Sequence, residues 1–145
     1  MEGVSRDTRR CALQVFYQFD SIGDSDPELV RGTLVGSQAS EESQRGGFDL
    51  ALEAWARREE ADALVRPLSP DWPTHRQPLI DRNILRIALY EIRHAGTAGK
   101  VAINGAVELA KEYGGDKSSG FVNAILDRIW KGDGAAAPTP DVQED

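Results

Sequence analysis

VAINGAVELAKEYGGDKSSGFVNAILDRI, residues 101–129, holds two regular apolar patterns separated by a short polar break, GGDKSS. Before the break, Ile103, Ala106, Val107, Ala110 and Tyr113 recur at the three- and four-residue spacing that lines one face of an α-helix. After it, Val122, Ile125, Leu126 and Ile129 do the same. The break itself supplies a stop and a start. Lys111 stands in the last turn of the first pattern, where a cation complements the helix dipole. Gly114 is placed to take the left-handed conformation after a helix end, and Ser118 or Ser119 to cap the next helix. The stretch therefore predicts two packed helices joined by a tight polar turn.

The rest of the chain repeats this signal. Ala12, Val15, Phe16 and Phe19 form a helical stripe that Leu13 and Tyr17 widen; this helix starts near Ser5, and Ile22-Gly23 lie beyond its end. Asp24-Ser25-Asp26 followed by Pro27 marks a second start, with Leu29, Val30 and Leu34 on its apolar side. Residues 36–47, GSQASEESQRGG, read as a polar loop, and a longer helix is expected over about 48–66, with Phe48, Ala51, Leu52 and Trp55 on its apolar face. RPLSPDWPTHRQP carries four prolines and ends it; Trp72 there is expected to anchor the segment on the core. A fourth helix begins near Pro78. Ile80, Ile84, Ile87 and Ala88, thickened by Leu85, Leu89 and Ile92, make it apolar around so much of its circumference that it belongs at the centre. No alternating strand with a hairpin signal occurs. The expectation is an all-α protein of about six helices.

At 145 residues, 40% hydrophobic and 28% charged, the chain suits one globular domain with its own core. No apolar run approaches the roughly 18–20 residues that span a bilayer. The N-terminus reads as mature rather than as a signal peptide, because Gln14, Tyr17 and Gln18 interrupt its apolar part. A single cysteine, Cys11, excludes an internal disulfide framework and agrees with a cytoplasmic setting; inside an apolar stripe it reads as a buried, inert thiol. The net charge is −7, of which residues 133–145 supply −4 with no Lys or Arg. Residues 1–132 are thus read as a single helical domain and 133–145 as a disordered acidic tail. Such an acidic chain cannot hold nucleic acid by bulk charge and would need a local basic patch.

No catalytic constellation emerges. His75 and His94 are the only histidines, and neither has a partner at metal-ligand spacing. GGDKSS lacks the full phosphate-loop pattern and follows a helix rather than a strand. Two polar features remain. Arg6, Arg9 and Arg10 stand at i, i+3 and i+4 and so share a helix face, at a helix start where the dipole disfavours cations. A polyanion would compensate; a solvated face partly neutralised by Glu2 and Asp7 is the plainer reading, and spacing alone favours it. The second feature is the break, with Lys117 for charge, helix-start amides for phosphate and Phe121 for base stacking. Two ordinary helix caps and a core phenylalanine explain the same residues, and on this stretch alone that explanation is preferred.

Taken together, RRCALQVFYQFD (9–20), IDRNILRIALYEI (80–92), KVAINGAVELAKEYG (100–114) and FVNAILDRI (121–129) resemble the NusB family of bacterial transcription antitermination factors, in order and spacing, over about residues 5–131. The resemblance implies two packed three-helix units, without catalysis, cofactor or metal. It implies binding of boxA RNA in ribosomal RNA leader transcripts together with NusE, a small-subunit ribosomal protein, and association with the RNA polymerase antitermination complex. By position it assigns RNA contacts to Arg6, Arg9, Arg10, Lys117, Ser118, Ser119 and Phe121, and the NusE side to Tyr17 and Asp81. Monomer and homodimer both fit.

There are departures. The family usually has Glu where Gly105 stands; glycine there costs up to ~1 kcal/mol of helix stability relative to Ala and removes a carboxylate. A basic residue commonly precedes the phenylalanine of FVN, where this chain has Gly120, and Lys117 replaces a frequent acid. Two other readings stay open: an adaptor that binds only protein, and a stand-alone relative of the helical domain of rRNA methyltransferases. For the latter the chain has no room for a methyl-donor domain.

Overall fold

The computed structural model describes residues 4–22, 26–35 and 37–132. They form seven α-helices: α1 Arg6–Ile22, α2 Pro27–Gly32, α3 Glu41–Ala56, α4 Arg58–Val65, α5 Leu79–His94, α6 Gly99–Tyr113 and α7 Ser118–Trp130. Short 3-10 turns at Arg66–Leu68 and Thr74–Arg76 carry the proline-rich link, and no strand occurs among the described residues. The acidic stretch expected to form a tail, 133–145, lies outside them.

Three helix starts carry side-chain caps. Thr8 N–H donates to Ser5 Oγ (3.1 Å) below α1. Asp26 accepts from Glu28 N–H (3.0 Å), with Pro27 at the first helical position of α2. Ser40 accepts from Ser43 N–H (3.0 Å) at α3, whose first turn holds Glu41 and Glu42 against the positive dipole end. That cap corrects the expectation of a loop at 36–47: the helix begins seven residues before Phe48. Gly46-Gly47 suggests a break, yet Gly47 marks a helix crossing. A Cβ there would lie 2.4 Å from Cys11 Cβ and 2.8 Å from the Thr8 carbonyl, so glycine is what lets α3 close onto α1. At the other end, the expected helix over 48–66 is two. Arg57 leaves helical geometry (φ −110°, ψ 18°) and separates α3 from α4. Gly114 is extended (φ −92°, ψ −177°) rather than left-handed; Gly96 (φ 75°) takes that conformation at the end of α5.

α1 packs most closely on α3, and α6 on both α5 and α7; α5 touches α1, α3, α4, α6 and α7 and joins the two groups. Ile84, Leu85, Ile87, Ala88 and Leu89 of α5 are buried, as its all-round apolar pattern predicts. Trp55 stands against Phe16 edge-on (centroids 5.4 Å, 83°) and against Phe19 (5.5 Å). Trp72 meets Phe121 at 4.8 Å, the anchoring expected of it.

The join between the groups is also ionic. Arg82 makes paired bonds to Asp20 (2.8 and 2.9 Å). Arg86 makes paired bonds to Asp62 (2.9 and 2.8 Å) and also reaches Asn83 (3.1 Å). This ties α1, α4 and α5 together in a nearly dry layer, where a lost partner would leave an uncompensated charge.

Candidate nucleic-acid interface

The sequence places three arginines on one face of α1; the structure separates them by burial. Arg6 is exposed, 3.7 Å from Glu108 of α6. Arg10 is partly exposed and bonds Asp7 (2.9 Å) and Glu112 (3.1 Å). Arg9 is buried (6% exposed). Its Nε and Nη2 donate to the two carboxylate oxygens of Glu91 at 2.8 and 2.7 Å, and Glu91 is itself only 1% exposed. Arg9, which the family resemblance assigns to RNA, stands in a buried ion pair. The reason lies in the register: Arg9 precedes Ala12, Leu13 and Phe16 by three, four and seven residues, and so heads the buried stripe of α1.

The α6–α7 turn divides in the same way. Lys117 is exposed and Ser119 half-buried. Ser118 is buried: its Oγ donates to Asp81 Oδ1 (2.7 Å) and accepts from Gly115 N–H (2.9 Å). Ser118 thus braces the turn against α5, and no side-chain cap starts α7. Asp81, expected on the NusE side, is 1% exposed and committed to Ser118. Burial pushes its carboxyl above the ordinary range, against the lowering effect of the Ser118 hydrogen bond. Phe121 is half-buried against Trp72, so its ring serves packing first.

What remains open is a continuous face. Tyr17 (49% exposed) and Tyr113 (46% exposed) both line a groove of about 230 Å³ with Arg10, Leu13, Gln14 and Ile80. Beyond Arg10, Gln14 and Tyr113 it runs into a wider cleft of about 530 Å³ lined also by Asp7, Ser37, Gln38 and Glu112. Cys11 lies buried at the edge of that cleft, where burial and then the Asp7 charge push its thiol up, keeping it a poor nucleophile. Arg10 bonds Glu112, five residues before Lys117, so α1 and the α6–α7 turn adjoin. Tyr113 escapes the sequence reading because it completes the apolar stripe of α6; its place in the last turn is the one hint that it faces outward.

The face carries guanidinium and ammonium groups suited to phosphate, each guanidinium paired with carboxylates, together with two phenol rings and polar side chains. Among the described residues no group of three or more His, Cys, Asp or Glu side chains is placed to hold a metal. His94 instead pairs with Glu60 (2.9 Å), far from this face in the α4–α5 contact.

The profile of the NusB family matches residues 6–131. The transcription antitermination protein NusB of Roseiflexus sp. (strain RS-1) is 36% identical over 132 residues, 89% of this chain and 93% of that one. The solved structure of T. maritima NusB matches with a TM-score of 0.77 at 27% identity, covering 90% of this chain and 93% of that one. A structure of the antitermination factors NusB and NusE in complex with dsRNA matches with a TM-score of 0.75, over 87% of this chain and 95% of that one. At 23% identity it is a likeness of fold.

Proposed function

This chain belongs to the NusB family, and on that footing we propose that it is a transcription antitermination factor that binds boxA RNA of ribosomal RNA leader transcripts together with NusE and joins the RNA polymerase antitermination complex. Its role is binding rather than catalysis, and it works in the cytoplasm where such transcripts are made.

The observation that carries the RNA face is the contrast in pairing along α1. Exposed ion pairs contribute little, so Arg6 and Arg10 can trade Glu108, Asp7 and Glu112 for phosphate at small cost. Breaking a buried pair costs about 3–5 kcal/mol, more than one phosphate contact returns, so Arg9 stays with Glu91. RNA then runs over Arg6, Arg10 and Lys117, with Tyr113 and Tyr17 as stacking surfaces and Ser119 at the edge. Tyr17 lies where this face meets the NusE side.

Two or three available cations on a chain of net charge −7 make weak RNA binding by the protein alone. NusE adds surface and charge, and two linked contacts raise the effective concentration of each other. Fluorescence titration of boxA RNA with and without NusE tests this. Tighter binding with NusE is expected; equal affinity in both rejects the cooperative reading. Charge reversal of Arg6 and Arg10 that leaves binding unchanged would mark the chain as a protein-only adaptor.

A further inference from the structure

Gly105 sits in the middle of α6, where glycine is a poor helix former and where the family usually has Glu. The structure gives it a reason. The Arg9 guanidinium lies against the α6 backbone at this point. A Cβ at 105 would stand 2.7 Å from Cζ and from Nη1 and 2.8 Å from Nε, closer than real Cβ contacts come. The Nε–Nη2 edge of the guanidinium is held by both oxygens of Glu91. The group is thus clasped between a carboxylate on α5 and bare backbone on α6.

The clasp has a register. Gly105, Glu108 and Glu112 follow one another at i, i+3 and i+7, a single stripe of α6. Opposite them on α1 stand Arg9, Arg6 and Arg10 respectively. One gap and two acids receive three arginines. The buried member is held by its paired bonds to Glu91, and the two exposed members lie along the same stripe. The geometry points to Gly105 and Glu91 as positioning residues for RNA binding: acting through Arg9, they set where α1 lies on α6, and with it where Arg6 and Arg10 stand. The functional half of this statement rests on the RNA reading above; the register itself does not.

Thermal unfolding and RNA titration together test it. Gly105→Ala should lower Tm, although helix propensity alone predicts a rise. In the background Arg9→Met/Glu91→Met, where the guanidinium is gone and the pair is replaced by apolar groups, the same Gly105→Ala should raise Tm. That reversal is a rescue that a merely intolerant helix position would not show. A Tm that rises in both backgrounds, or falls in both, overturns the proposal. With NusE and boxA RNA, Gly105→Ala should weaken binding by about tenfold, roughly the loss of one well-placed charged contact. The Arg9→Met/Glu91→Met protein, which lacks the clasp, should bind the RNA about tenfold more weakly, and adding Gly105→Ala to it should weaken binding no further. Wild-type affinity in Arg9→Met/Glu91→Met, or a further loss on adding Gly105→Ala to it, would overturn the positioning role. If wild-type protein with NusE does not bind the RNA, the functional reading fails by itself, and the two Tm comparisons still decide the register.

Discussion

Arg9 and Arg10 are adjacent in the chain and belong to two different regions of the molecule. Arg9, like Arg82 and Arg86, belongs to the dry interior between packed helices, where each guanidinium is held by a carboxylate through paired bonds. Arg10 shares the wet face with Arg6, Tyr17 and Tyr113, where carboxylates share their positions with solvent. The difference teaches that a cation's value to a ligand depends on what it must abandon. In the dry layer an arginine organises the fold; on the wet face it remains exchangeable. Spacing alone treats them as one motif.

The comparison can be broken at its strong end first. Glu91→Ala leaves Arg9 buried without a counter-charge and should destabilise by about 3–5 kcal/mol, read as a lower denaturant midpoint at unchanged m. Asp62→Asn should cost less, about 1–3 kcal/mol in the same measurement, because Arg86 keeps Asn83 and Asp20 (3.4 Å). On the wet face the ranking inverts. Arg10→Gln should leave the denaturant midpoint near wild type, weaken RNA binding with NusE, and reduce the slope of log K against log salt by about 0.7, one single-strand phosphate contact.

The smallest effects are titrations, and they have opposite signs. Burial raises the Asp81 carboxyl, so its contribution to stability is full below the ordinary carboxylate range and is lost as pH rises through the raised value. Burial also pushes Glu60 up, but hydrogen bonds and charge from His94 and Arg93 outweigh it and hold that carboxyl below its ordinary value. Its contribution is present above the ordinary range and lost as pH falls through the lowered value. Unfolding between neutral pH and about pH 3 should show less loss with acid in Glu60→Gln and more in Asp81→Asn, each relative to wild type. Parallel curves for all three proteins would contradict both assignments.

Much of the fold is legible in the sequence because local rules and tertiary packing agree there. Asp26-Pro27 starts α2, and the all-round apolar pattern of α5 puts it at the centre. Where the two disagree, packing wins. Gly46-Gly47 reads as a break, but its bare backbone is needed at the α1–α3 crossing. The break at Arg57 falls inside a helix-favouring run and has no local signal. The burial of Arg9 is legible in its register with Ala12, Leu13 and Phe16. That of Asp81 and Ser118 is not, since their hydrogen bond joins residues 37 positions apart, and no spacing rule connects them. Tyr113 shows the converse error, an apolar position in a stripe that reaches solvent at the helix end.

The proposed RNA path lies on the wet face and leaves the buried arginine pairs intact. Photo-crosslinking of boxA RNA to the complex with NusE, read by mass spectrometry, tests it most directly. Crosslinks are predicted at Tyr113, Tyr17 and Lys117, and none on the α3–α4 side at Glu53, Arg57 or Glu60. Crosslinks concentrated on that opposite side, with Tyr113 and Lys117 unlabelled, would contradict it.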